Sequence, residues 1–214
     1  MPLLKAILFD FGGVITSSPF DAFNRFEAER GLPKDFLRSV NAAAPDHGAW
    51  ALFERAEIDA AAFDRLFLAE SGALGRPVRG AEVLPLLSGD LRPRMVEALE
   101  ACRRAYKIGC ITNNVPAGQG AGMSASAEKA GAIRDVLARF HHVIESSKIG
   151  IRKPDPRIYA LMCEALDVEP QACVFLDDLG VNLKPARAMG MITIKVTSEA
   201  QALRDLAEIA GLPL

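Results

Sequence analysis

Residues 6–15 read AILFDFGGVI. An apolar run delivers one aspartate, Asp10, into a turn carrying Gly12 and Gly13. Apolar residues without polar alternation are what a strand covered on both faces requires. Runs of the same kind recur at 107–111 (KIGCI), 173–176 (CVFL) and 192–196 (ITIKV), with a weaker one at 142–144. Helical patterns at 93–104, 133–139, 156–166 and 183–189 separate them, and Gly190 follows the last as a helix C-cap. Strand and helix alternating from residue 90 onward predict an α/β fold, a Rossmann-like parallel sheet with helices on both faces.

The stretch 19–88 breaks this alternation. FDAFNRFEAERG and the segments 33–40 and 58–71 are amphipathic or Ala-rich, with no strand between them. They predict a helical domain, 18–88, inserted into an α/β core formed by 1–17 and 89–214. Trp50 and several phenylalanines form the insertion's own core, and 72–80 and 88–89 are expected hinges. The Gly/Ala/Ser-rich segment 115–132 is expected to be a flexible loop with at most a frayed helix.

Of the 214 residues, 50% are hydrophobic and 24% charged, and the formal net charge is −2. Those proportions fit a folded globular chain, and the charge supplies no field to recruit nucleic acid or acidic membrane. The N-terminus lacks a basic region and a small-residue cleavage site, so a signal peptide and a membrane span are not expected. The four cysteines share no metal-ligand spacing and suit reduced packing thiols. A cytoplasmic enzyme or binding protein is the expected class.

Ligands of open parallel α/β sheets bind beyond the carboxyl ends of the strands. There the chain places Asp10 with Gly12 and Gly13, then Thr112, Asn113 and Asn114, then Asp177 and Asp178. The loop IGIRKPDP adds Lys153. Taken singly, each has an ordinary structural use: Asp in a turn, Thr-Asn-Asn as an N-cap, Lys-Pro-Asp-Pro as a helix start. Taken together at four strand ends they suit phosphoryl transfer. Clustered carboxylates repel one another unless a hard cation such as Mg²⁺ joins them. An aspartate could then attack phosphorus while a hydroxyl and an ammonium hold its oxygens.

The set FDFGGVI, ITNN, RKPDP and VFLDDLGVNLKPARAMG resembles the four motifs of the haloacid dehalogenase-like hydrolase superfamily. "SSKIGIRKPDPRIY" and "FLDDLGVNLKPARAMGM" are most similar to the phosphatase domain of soluble epoxide hydrolase and its bacterial relatives. The resemblance implies that Asp10 is the nucleophile and that Thr112 and Asn113 hold phosphate with Lys153, beside Gly12 and Gly13. It implies Mg²⁺ at Asp10, the Gly12 carbonyl, Asp178 and Asp177, with Asn182 supporting and the helical insertion as a cap. The implied activity is a phosphatase acting on a small-molecule phosphate ester.

Gly12 departs from the pattern, because phosphatases of the superfamily usually carry there a second aspartate as general acid and base. Such a group contributes about 10²–10⁴-fold. Its loss matters less for a good leaving group, or where water, the substrate or a residue such as Asp21 supplies the proton. Two other functions compete with the phosphatase. One is a phosphate-binding protein with little turnover, which Gly12 favours. The other is a 2-haloacid dehalogenase, which also lacks the second aspartate but needs no metal and gains nothing from Asp177 and Asp178.

Overall fold

A computed structural model describes residues 3–120, 122–124 and 126–214. Five parallel strands form one sheet: β1 (Ala6–Phe9), β2 (Lys107–Thr112), β3 (His142–Glu145), β4 (Cys173–Asp177) and β5 (Ile192–Lys195). They lie in the order β3-β2-β1-β4-β5. The first strand is therefore central, and the chain reverses direction across the sheet on either side of it. The ends of β1, β2 and β4 converge there, which is where this topology makes a crevice.

Each face of the sheet is covered by helices. Ile7, Phe9, Ile108, Cys110, Val174 and Leu176 point into a core with Met95, Leu99, Leu203 and Leu206 from helices Pro93–Arg103 and Glu199–Ala210. On the other face Leu8, Ile111 and Phe175 meet Ile158, Tyr159 and Met162 of helix Pro156–Leu166. This two-sided burial explains the unalternated runs. All four cysteines are free and buried.

The insertion has a third, aromatic core. Phe53 and Phe63 stack at 4.8 Å between ring centroids, and Trp50 tilts against Phe63 at 4.9 Å. Helices Pro19–Glu29, Phe36–Ala43, Ala49–Glu54 and Ala60–Ala73 build it. The chain enters and leaves it through adjacent segments: Thr16 bridges Leu91, and the Ser17 N–H donates to the Asp90 carbonyl at 2.7 Å. At Gly89 a Cβ would come within 2.6 Å of the Ser17 carbonyl oxygen, so this crossing needs glycine.

Some boundaries differ from those expected. The 72–80 stretch is a stitched turn rather than a hinge, because the Ser71 hydroxyl bridges to both backbone groups of Val78 and the Asp64 carboxylate accepts from Ala81 N–H. The expected loop at 115–132 is helical in its last six residues. Val115 joins the insertion's core, and helix Ala127–Leu137 begins six residues before the expected 133, capped by Ser126. Residues 121 and 125 of that stretch lie outside the described residues. Weak apolar periodicity concealed this helix; the Ser126 cap, with Glu128 in the first turn, was its signal.

Candidate active site

Register brings the acids together. Phe9 pairs with Leu176 in parallel, so the next residues, Asp10 and Asp177, leave adjacent strands side by side. One oxygen from each of Asp10, Asp177 and Asp178 lies within 4.8 Å of the others. Lys153 sits among them, 1% exposed, its Nζ 2.8 Å from Asp10 Oδ1 and 2.8 Å from Asp177 Oδ2.

Asp177 and Asp178, neighbours in sequence, are held very differently. Asp177 Oδ1 accepts from the Leu179 N–H at 2.8 Å and Asn182 Nδ2 at 3.1 Å. Its Oδ2 accepts from Asn182 at 3.1 Å and from Lys153. These four bonds fill the acceptor capacity of a carboxylate. Asp178 accepts from the Ser18 hydroxyl at 3.1 Å. Burial, with the negative charge of Asp177 behind it, pushes its carboxyl up to about 6. Burial likewise pushes Asp10 well above the usual carboxylate range, with Lys153 opposing and both neighbouring acids reinforcing the rise. The two acids raise Lys153 against its own desolvation.

The glycines flanking Asp10 have unequal reasons to be glycine. Gly13 has φ +76°, and a Cβ there would meet Asp178 Oδ2 at 2.1 Å. Gly12 has ordinary angles, φ −67° and ψ 131°, and a Cβ built on it meets nothing within 4 Å. Neither backbone strain nor crowding requires glycine at 12.

Thr112 is the buried last residue of β2. Asn113 turns its side chain to the loop rather than into the acid cluster: Oδ1 accepts from the Lys153 N–H at 2.8 Å, and Nδ2 donates to the Lys153 carbonyl at 3.0 Å. Asn114 ties β2 to the end of β3 through Glu145, Ser146 and Ser147. Asn182, held through its carbonyl by the Tyr159 hydroxyl at 2.6 Å, serves Asp177. Asp21 is exposed in the first turn of helix Pro19–Glu29.

Three residues of this arrangement were not among the expected site residues: Ser18, Glu54 and Arg152, the last although it opens the RKPDP motif. Ser18 carried a visible N-cap signal before Pro19, but its bond to Asp178 spans 160 positions. Glu54, from the insertion, meets Arg152 and Asn113. No helix among the described residues is long and apolar enough to cross a membrane.

Comparison with known proteins agrees with the motifs. The chain is 31% identical over 97% of its length to bifunctional epoxide hydrolase 2 of Mus musculus, spanning 39% of that protein. It is 33% identical over 58% of its length to a phosphatase of Mycobacterium tuberculosis, spanning 54% of it. It thus spans about half or less of these curated relatives. A Bacteroides thetaiotaomicron enzyme solved with magnesium and inorganic phosphate shares the fold (TM-score 0.56, 17% identity, 89% of this chain and 93% of that one). Solved dehalogenases share it as well, with TM-scores of 0.60 and 0.64, so the fold alone does not separate the two activities. The family model described as haloacid dehalogenase-like hydrolase matches residues 4–190, and the chain belongs to that family.

Proposed function

We propose that this hydrolase is a Mg²⁺-dependent phosphatase that cleaves a small phosphomonoester through an aspartyl-phosphate on Asp10. The observation that carries this reading is the cluster of three carboxylates, two of them paired with one buried lysine. Three ionised carboxylates against one ammonium leave two negative charges in excess, and that excess suits a divalent cation with hard oxygen ligands. Asp10, Asp178 and the Gly12 carbonyl are the groups to hold it, while Asp177, its lone pairs spent, fixes Lys153 and Asn182. Mg²⁺ bound there would neutralise phosphate charge. The curated phosphatase relative and the solved neighbour with magnesium and phosphate support the same assignment.

The chain's own residues divide the remaining work. Lys153 and the Phe11 N–H both hold Asp10 Oδ1, at 2.8 and 2.6 Å, which aims the other oxygen of Asp10 at the substrate. That oxygen attacks phosphorus, and the ester P–O bond breaks with its electron pair leaving on the alcohol oxygen. Thr112, Lys153 and the backbone after Thr112 hold the phosphoryl oxygens as their charge builds. Water then attacks phosphorus, phosphate departs, and Asp10 is regenerated. With Gly12 in place of an acid, the leaving oxygen takes its proton from water or carries a negative charge it can bear. Substrates with good leaving groups are therefore favoured. The insertion closes over this edge as a cap and selects among them.

Phosphate release from p-nitrophenyl phosphate and a panel of sugar phosphates, with and without Mg²⁺, tests the proposal beside Asp10→Asn. Mg²⁺-dependent release lost in Asp10→Asn is expected. Binding of vanadate with no release from any ester would replace it with the phosphate-binding protein that Gly12 also suits. Metal-independent halide release from a 2-haloacid would place the chain among the dehalogenases.

A further inference from the structure

Glu54 ends helix Ala49–Glu54 of the insertion and is largely buried against the sheet domain. Its Oε2 accepts from Arg152 Nε at 2.5 Å and from Asn113 Nδ2 at 3.3 Å, and Arg152 donates onward to the Pro45 carbonyl at 2.8 Å. The Asn113 amide is therefore fully used. Its two N–H groups serve Glu54 and the Lys153 carbonyl, and its oxygen takes the Lys153 N–H. A carboxylate accepts here, so Glu54 reinforces the amide orientation that the Lys153 backbone also requires. A flipped amide would set its NH₂ against the Lys153 N–H and lose both bonds to that residue.

We propose that Glu54 is a positioning residue through which the seated cap sets Lys153, acting by way of Asn113 and Arg152. This rests on the cap and phosphatase reading above. The path is continuous: Glu54 orients Asn113, Asn113 clamps both backbone groups of Lys153, and Lys153 Nζ meets Asp10 and Asp177. Glu54 Oε2 accepts from both Arg152 and Asn113, one of them cationic, which suits a positioning role. An unseated cap takes Glu54 and its bonds to Arg152 and Asn113 away, and leaves the Asn113–Lys153 clamp without that support.

Two readouts test it on the whole chain: hydrogen exchange at the Lys153 amide, and steady-state hydrolysis of p-nitrophenyl phosphate with Mg²⁺. Glu54→Ala is expected to speed Lys153 exchange about tenfold or more. It should also lower kcat about 10²-fold with little change in KM, as misplacing a reacting group does. Glu54→Asp keeps the charge and is too short to reach both partners; it should fold and still lose about tenfold in kcat. Lys129→Ala removes a different contact near the insertion's exit, from Lys129 to Asp90 and the Ser88 carbonyl. It should leave Lys153 exchange and kcat within about twofold of wild type. Wild-type exchange at Lys153 in both Glu54 variants, or equal acceleration in Lys129→Ala, would overturn the proposal. A wild-type protein that releases no phosphate would sink the phosphatase reading, while the exchange measurement would still decide the role of Glu54.

Discussion

Buried and half-buried acids packed within the insertion do the opposite job from Asp10 and Asp178 at the sheet edge. In the insertion, Glu27 is 2% exposed and gives one oxygen to the Asp35 N–H at 2.8 Å and the other to the Leu37 N–H at 2.9 Å. Glu70 accepts from the Ala49 N–H at 2.8 Å, at the start of the next helix. Asp64 takes the Ala81 N–H, and the Arg79 guanidinium holds its carboxyl below the usual range. Each is committed to a helix start or a turn, where its charge satisfies orphan N–H groups. At the sheet edge, burial raises Asp10 and Asp178, and each keeps acceptor capacity unspent. Spent lone pairs mark a structural acid; unspent ones at a raised carboxyl mark a site built for something else.

The sharpest way to break that contrast is to remove one acid from each half. The folded-state value of Asp178, about 6, lies above the model-peptide value of 3.8. The folded protein therefore holds the extra proton between these values, and its stability falls as pH rises through that window. In metal-free protein, Asp178→Asn should raise stability by up to about 3 kcal/mol at pH 8, with the gain gone below about pH 4. Glu27→Ala should do the reverse, losing about 1–3 kcal/mol for the unpaired N–H groups of Asp35 and Leu37. Urea melts at both pH values read the two signs. A destabilised Asp178→Asn would make that acid structural after all.

Gly12 provides a gain-of-function test. A Cβ at 12 meets nothing within 4 Å, so the backbone leaves room for a side chain to start there. Gly12→Asp should raise turnover of an alkyl phosphate about 10²-fold, the low end of what a positioned acid supplies. Hydrolysis of p-nitrophenyl phosphate, whose leaving group needs no proton, should change little. Equal gains on both, or none on the alkyl ester, would mean that position 12 does not face the leaving group.

The sheet was legible because its strands are buried on both faces, which forces apolar runs that no helix period imitates. Asp10, Asp177 and Lys153 were legible as chemistry because parallel register puts strand-end residues in one row. Asn113 and Glu54 were not. The amide of Asn113 could equally have faced phosphate or backbone, and only the Lys153 loop, 40 positions away, decides which. Glu54 lies in a segment whose residues pack by shape, so nothing local distinguishes it from the exposed glutamates around it. The first six residues of helix Ala127–Leu137, before the expected 133, were not legible because small residues carry little hydrophobic periodicity, although the cap was in plain view.

The smallest effect concerns the metal itself and the proton on Asp178. A cation bound at Asp178 must displace the proton that burial and the Asp177 charge favour there. Below about pH 6 that competition costs affinity, so Mg²⁺ should bind about tenfold more weakly at pH 5 than at pH 7. Binding at pH 5 should release about one proton from Asp178 and a further share from Asp10, measurable by calorimetry in two buffers of different ionisation enthalpy. Asp178→Asn should therefore flatten the pH profile along with weakening the metal. A profile that survives the substitution would place the titrating group elsewhere, with Asp10 the next carboxylate in the cluster to carry it.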